Sequence, residues 1–146
     1  MQQPIVVTQD RGMRFVAHVR SHRVIVDQPR HAGGDDSGPM PLELIGASLG
    51  TCIALYAQRF LESRGLPHEG MRVEVEQFGA GNPHRIGELV ARIILPAALP
   101  PRDLTLLEQV ARSCPAHATL THSPRVGVTI MTPEPAMGGN ERARMR

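Results

Sequence analysis

The feature that most constrains this fold is a long run of apolar and small residues, PLELIGASLGTCIALYAQRFLESRG, at positions 41–65. Pro41 suits the first position of a helix and Gly65 is a typical C-terminal stop signal, so the run predicts a helix over residues 41–64. A helix that is apolar on all sides is buried on all sides. A chain of 146 residues can hardly enclose such a helix, which predicts a dimer that covers it.

Length and composition indicate one soluble domain. A chain of 146 residues can bury a core without disulfides or metals, and two cysteines are too few for a disulfide scaffold. The N-terminus lacks the charged-then-apolar pattern of a signal peptide, and no run of 18 apolar residues suggests a membrane span. We therefore expect a cytoplasmic protein with reduced thiols and no membrane partner. We predict a single domain over residues 1–133 and a disordered tail over residues 134–146.

The charge pattern argues against a nucleic-acid partner. All sixteen basic residues are arginine, they are scattered along the chain, and the net charge is only +2. With no Trp, one Tyr and three Phe, the chain offers no aromatic surface on which bases could stack.

Hydrophobic periodicity predicts an α+β order of elements: strands, long helix, hairpin, two helices, strand. Turns are expected at Gly12, at Ser21-His22 and over residues 79–84. The predicted strands cover residues 4–8, 14–28, 72–78, 88–96 and 125–131, and the two later helices cover residues 102–113 and 114–122.

The chemistry of the chain centres on its two cysteines, Cys52 and Cys114, which lie 114 − 52 = 62 residues apart. Two separated thiols suggest an attacking and a resolving cysteine if the fold brings them together. Cys52 lies in the middle of the long helix, where a free cysteine is often only a small buried hydrophobe. A reactive Cys52 would need a cationic partner, and Arg11 or Arg14 of the N-terminal strands could supply it.

Cys114 has a different local setting. If Pro115 is the first helical residue, Cys114 is the N-cap, and its sulfur faces unpaired amide groups that favour the thiolate. His117, three residues on, could donate a hydrogen bond to the sulfur. The Cys114–His117 spacing could also supply two zinc ligands, but structural zinc needs two more and the other cysteine is far away in sequence.

Two acidic features of the sequence have a structural interpretation as well as a functional one. Glu43 lies in the first turn of the long helix, where a carboxylate caps amides. It precedes Cys52 by nine residues, which places it on the opposite helix face. The loop PRHAGGDDSGPMP (residues 29–41) contains an acidic pair, yet it lacks the ligand spacing of a calcium loop.

Two segments carry a family resemblance. GGDDSGPMPLELIGASLGTC (residues 33–52) and CPAHATL (residues 114–120) resemble the OsmC/Ohr family of osmotically inducible and organic-hydroperoxide-resistance proteins. The resemblance extends over residues 5–131. It implies an α+β fold in which two copies intertwine as a homodimer, with antiparallel sheets wrapping long central helices and active sites at the dimer interface.

The resemblance also implies residue roles. Cys52 aligns with the peroxidatic cysteine and Cys114 with the resolving one, in an enzyme that reduces organic hydroperoxides and is recycled by an external dithiol. Arg11, with Arg14 as the alternative, and Glu43 would form the arginine–glutamate pair, and no metal, haem or flavin is required. The glutamate of the best-characterised peroxidases stands ten residues before the cysteine, where this chain has Leu42, so the chain resembles the broader OsmC-like subgroup. The alternative is a non-peroxidatic dimer that responds to redox state or binds a small ligand.

Overall fold

The structure is a computed structural model of the chain, and it describes residues 3–133. It is an α+β fold with a three-stranded sheet, a long helix, a β-hairpin and two shorter helices, in the predicted order. The predicted disordered tail, residues 134–146, lies outside the described residues.

The N-terminal sheet is an antiparallel meander of β1 (Val6–Arg11), β2 (Arg14–Val19) and β3 (His22–Val26). The predicted turn at Gly12 is confirmed, with a φ of 51° that glycine adopts easily. The second turn falls at Arg20-Ser21, one residue earlier than predicted. Alternation places Phe15, Ala17 and Val19 on the same sheet face as Val24 and Val26 of β3.

The loop that leaves β3 is organised by Asp27, a residue that sequence reasoning passed over. Its buried carboxylate accepts hydrogen bonds from the Ser37 hydroxyl at 2.7 Å and from the backbone N–H groups of Gln28, Asp35 and Ser37 at 2.8, 3.2 and 3.1 Å. The Ser37 hydroxyl bond is the largest influence on the pKa of Asp27, and with the three N–H bonds it outweighs burial and lowers that pKa to about 2. The loop therefore returns tightly onto the end of β3.

The long helix α1 (Pro41–Ser63) packs on a hairpin formed by β4 (Arg72–Ala80) and β5 (Arg85–Ile94). The buried stripe of α1 includes Leu49, Ile53 and Leu61. Small residues permit the close approach, because a Cβ atom on Gly50 would lie 3.0 Å from Val75 Cγ2. The predicted helix and hairpin are thus confirmed.

Two further helices close the core: α2 (Pro101–Arg112) and α3 (Pro115–Thr121). Leu107 of α2 packs with Ala57 and Leu61 of α1 in one buried cluster. A second cluster contains Cys114, and Cys52 packs against it. An ion pair between Arg64 Nη1 and Asp103 Oδ1, 3.2 Å apart, joins the end of α1 to the start of α2.

The predicted strand over residues 125–131 is wrong for the folded chain taken alone. These residues form no strand, and Val126, Val128 and Ile130 are 84–89% exposed. A strand needs a neighbouring strand to pair its N–H and C=O groups. Among residues 3–133, neither the three-stranded sheet nor the hairpin pairs with this segment.

Other apolar surfaces are also uncovered. The N-terminal sheet has only sparse contacts with the helices and the hairpin, and it leaves Val7 and Phe15 exposed. The expectation that α1 is buried on every side is not met within one chain, since Leu42, Ile45 and Leu55 are 37–46% exposed.

By length and composition alone, α1 is the one helix among residues 3–133 that could cross a membrane. One third of that apolar stretch is already buried inside the chain. Core helices of soluble proteins pass the same test, so this observation is weak evidence for a membrane span.

Candidate functional site

The fold brings Cys52 and Cys114 together. Cys52 of α1 packs against a buried cluster formed by Leu49, Ile53, Ala111 and Cys114. Both cysteines are free thiols. The segment between them includes the whole hairpin and α2, so only the tertiary fold creates this pair.

Cys114 lies behind Cys52 and is fully buried. It is the N-cap of α3, as predicted, and its Sγ accepts a hydrogen bond of 3.4 Å from the backbone N–H of His117. The expectation that this position favours the thiolate is wrong. Burial raises the pKa of Cys114, the neighbouring Cys52 raises it further, and these effects outweigh the hydrogen bond from His117.

Cys52 is the more accessible thiol. It is half-buried, at the edge of the buried stripe of α1, and its helix neighbours on the outer side, Ser48 and Leu55, are exposed. A reagent would therefore meet Cys52 first and Cys114 second.

Two clefts border the thiol cluster, with volumes of about 520 and 550 Å³. They share the side chains of Leu49, Leu89 and His117. Most of their walls are aliphatic, and the polar lining comes from Glu108, Arg112 and His117 in the first cleft and from Arg85, Glu88, His117 and Thr121 in the second. Such clefts suit a ligand with an apolar body.

Glu43 acts as a helix cap. Its carboxylate Oε2 accepts a hydrogen bond of 2.8 Å from the backbone N–H of Met40, the N-cap of α1. It lines a groove along α1 with Gly46 and Gly50, and neither thiol lines that groove. Glu43 thus caps the helix, as one interpretation of the sequence predicts. The fold does not bring it to Cys52 of the same chain.

The two candidate arginines lie on the N-terminal sheet and pair with local carboxylates. Arg11 Nη2 is 3.8 Å from Asp35 Oδ2, and both side chains are about two-thirds exposed. Arg14 Nε is 2.7 Å from Asp10 Oδ2, although the approach is not aligned for a hydrogen bond. The sheet that carries both arginines makes only sparse contacts with α1, the helix of Cys52.

Metal-ligating side chains are not gathered in the described part of the chain, since residues 3–133 contain no group of three or more His, Cys, Asp or Glu placed to hold an ion. The contact between Cys114 and His117 is made by the His117 backbone.

Comparisons with known proteins agree with this architecture. The sequence model of the family described as OsmC-like protein matches residues 34–129, more than half of the chain. The chain therefore belongs to the OsmC-like family, and the resemblance seen in the sequence is confirmed. No curated protein sequence matches the chain.

Solved structures share the fold at low sequence identity. A proposed osmotic stress induced and detoxification response protein from Psychrobacter arcticus 273-4 is similar with a TM-score of 0.72 and 21% identity, over 79% of this chain and 85% of that one. The organic hydroperoxide resistance protein OsmC from Legionella pneumophila has a TM-score of 0.61 and 13% identity, over 82% and 90%. An OsmC-like protein of unknown function from Vibrio cholerae has a TM-score of 0.67 and 12% identity, over 80% and 91%.

Proposed function

We propose that this chain is a thiol-dependent peroxidase that reduces organic hydroperoxides with Cys52 and Cys114. The observation that carries the proposal is the packing of an accessible Cys52 against a buried Cys114. Membership of the OsmC-like family supports it, and a structurally similar protein from Legionella pneumophila is named for organic hydroperoxide resistance.

The chemistry proceeds in two steps. The Cys52 thiolate attacks the hydroperoxide, so that an S–O bond forms, the O–O bond breaks and the alcohol leaves with one proton. The peroxide is reduced by two electrons and Cys52 becomes a sulfenic acid. Cys114 then attacks that sulfur, which forms the Cys52–Cys114 disulfide and releases water. An external dithiol reduces the disulfide by exchange.

The clefts beside the thiols support organic hydroperoxides as the substrate class. A cleft of about 520 Å³ whose walls include Ile53, Leu104 and Leu107 can bury an alkyl or aryl group. Hydrogen peroxide has no apolar group to bury and would gain nothing from these walls.

A homodimer is part of the proposal. The exposed residues of the N-terminal sheet and of α1, together with the exposed apolar residues of segment 125–131, form apolar surfaces that a second copy would cover. The arginine that activates Cys52 would then come from the partner, from Arg11 or Arg14, because within one chain both pair with local carboxylates on a sheet that makes only sparse contacts with α1. Because the Glu43 carboxylate accepts a hydrogen bond from the Met40 N–H, Glu43 would stabilise the start of α1 and would not pair with that arginine.

The proposed thiol chemistry favours a cytoplasmic location. The cycle needs a dithiol reductant, which a reducing cytoplasm supplies. The proposed steps use no metal, haem or flavin and no nucleic-acid or membrane partner.

Hydroperoxide consumption by the purified protein tests this function. With a dithiol reductant, cumene hydroperoxide should be consumed much faster than hydrogen peroxide. Cys52→Ser should abolish consumption, whereas Cys114→Ser should complete the first step and retain a sulfenic acid that a dione reagent traps. Because the chain has only two cysteines, the double variant is a thiol-free control. Undiminished turnover by Cys52→Ser would refute the proposal.

The second candidate is a non-peroxidatic dimer that binds a small apolar ligand. Two observations favour it: Leu42 stands where the related peroxidases have glutamate, and the pKa of Cys114 is raised by burial. It predicts that Cys52 reacts with iodoacetamide no faster than a free cysteine at neutral pH. The peroxidase predicts a faster reaction, since its thiolate is stabilised.

A further inference from the structure

His117 joins the two clefts to the thiol pair. Of the residues that line both clefts, it alone has a titratable side chain. Its backbone N–H donates to Cys114 Sγ at 3.4 Å, so the residue is fixed beside the resolving sulfur. Its half-buried imidazole is uncommitted, because among residues 3–133 it makes no hydrogen bond comparable to those of His68 or His122.

The resolution step needs a proton to move at this place. Cys114 must lose its proton when it attacks the sulfenic sulfur of Cys52, and the leaving hydroxide must gain one to become water. The surroundings of Cys114 are apolar, with Leu49, Ile53 and Ala111 packed against it. Burial raises the pKa of its thiol, so Cys114 enters the reaction protonated at neutral pH. A local base would remove this obstacle.

We propose that the imidazole of His117 accepts the proton of Cys114 during resolution and returns it to the departing hydroxide. This assignment rests on the proposed two-cysteine chemistry. The balance is complete: Cys52–SOH and HS–Cys114 give the disulfide and one water, and the proton that His117 takes up is the proton it gives back. His117 needs no direct contact with Cys52, since the departing hydroxide can take the proton from the imidazolium directly or through one bridging water.

The charged groups around His117 come from each element packed near it. Glu108 and Arg112 of α2 face the first cleft, and their side chains are paired at 2.7 Å. Arg85 and Glu88 of β5 face the second cleft. From α1, Tyr56 and Cys52 border the thiol cluster. Each cleft therefore has one carboxylate and one guanidinium in its lining, so neither negative nor positive side chains predominate there.

A mixed disulfide isolates the action of Cys114 without any hydroperoxide. Ellman's reagent converts the accessible Cys52 to its thionitrobenzoate disulfide and releases one coloured thiolate. Attack by Cys114 then closes the Cys52–Cys114 disulfide and releases a second thiolate. His117→Ala should leave the first release unchanged and slow the second about a hundredfold, since acid–base catalysis typically contributes ~10²–10⁴-fold.

Imidazole rescue separates proton transfer from a structural role. Added imidazole should restore much of the second release in His117→Ala, and it should not accelerate the native protein. His122→Ala is the matched control, because this exposed histidine lies at the other end of α3 and, among residues 3–133, its side chain forms hydrogen bonds only with Ala118 and Thr121. It should release both thiolates at the native rates.

Three results would overturn the assignment: an undiminished second release in His117→Ala, a slowed release that imidazole does not rescue, or a native rate in His117→Gln. The glutamine variant keeps a polar side chain and the backbone N–H, so it answers the question if His117→Ala does not fold. A protein that fails to consume hydroperoxides yet shows His117-dependent second release would refute the peroxidase and leave His117 as the base that deprotonates Cys114.

Discussion

The side chain of Cys52 packs against that of Cys114, and this neighbour raises the pKa of the Cys114 thiol beyond the effect of burial. The two thiols also differ in access. Cys52 is half-buried at the edge of α1, whereas Cys114 is enclosed behind it.

The first prediction is an order of alkylation. Iodoacetamide at neutral pH should modify Cys52 well before Cys114, because the reagent attacks the thiolate and Cys114 is both enclosed and largely protonated. Peptide mass spectrometry measures the two rates separately. In guanidinium the difference should vanish, and faster labelling of Cys114 in the folded protein would contradict the structure.

The second prediction concerns Glu43. Glu43→Gln should lower the free energy of unfolding by about 0.5–1 kcal/mol, since a first-turn carboxylate that caps an amide contributes about that much. If Glu43 acts only as a cap, hydroperoxide consumption should remain within about twofold of the native rate. Chemical denaturation and the consumption assay measure the two effects.

Glu69→Gln is the matched control for Glu43, because Glu69 is exposed and makes no hydrogen bond among the described residues. It should change neither stability nor turnover. A turnover loss of a hundredfold or more in Glu43→Gln alone would return Glu43 to a catalytic role.

Local signals in the sequence were enough to predict most elements. Pro41 and Gly65 bound the long helix to within a residue or two, and Pro115 fixes Cys114 as the N-cap. The ionisation of Cys114 could not be predicted this way, because it depends on Leu49, Ile53 and Ala111, which only the tertiary fold places around the sulfur. The packing of Cys52 on Cys114 depends on the same tertiary contacts.

Asp27 shows a second limit of sequence reasoning. Its donors, Asp35 and Ser37, lie eight and ten residues later in an irregular loop, where no periodicity reveals the pairing. Gly34 belongs to the same arrangement, since a Cβ atom there would collide with the carbonyl oxygen of Gln28. The sequence marks this segment as a loop, but it does not reveal the buried carboxylate that holds it.

The third prediction is acid sensitivity that depends on Asp27. The pKa of Asp27 is lowered from 3.8 to about 2 in the folded chain, so ionised Asp27 stabilises the fold. This stability is fully present above about pH 4 and is lost as the pH falls towards 2. Thermal melting should show Asp27→Asn less stable than the native protein at pH 6, with the difference shrinking below about pH 4.

Asp36→Asn controls for the loss of one carboxylate from the same loop. Asp36 is exposed, and its φ of 58° is one that asparagine also adopts readily. Its melting temperature should follow that of the native protein at every pH. A constant difference between Asp27→Asn and the native protein from pH 6 to about 2.5 would contradict the lowered pKa.

The last prediction concerns residues 125–131, where the alternating pattern of a strand is present but its neighbour is missing. Val126, Val128 and Ile130 would share one face of a strand and are now almost fully exposed. If a second copy pairs with this segment, burying one valine contributes about 1.5–3 kcal/mol. Val128→Asp should then raise the dimer Kd by at least about tenfold.

Light scattering coupled to size-exclusion chromatography measures that association over a range of protein concentrations. Thr129→Asp is the matched control, because it introduces the same charge on the opposite face of the strand. It should weaken the dimer less than Val128→Asp does. If the two variants associate alike, the exposed valine face is not the surface that a second copy covers. Reduced hydroperoxide turnover in the monomeric variant would further indicate that the active site depends on the dimer.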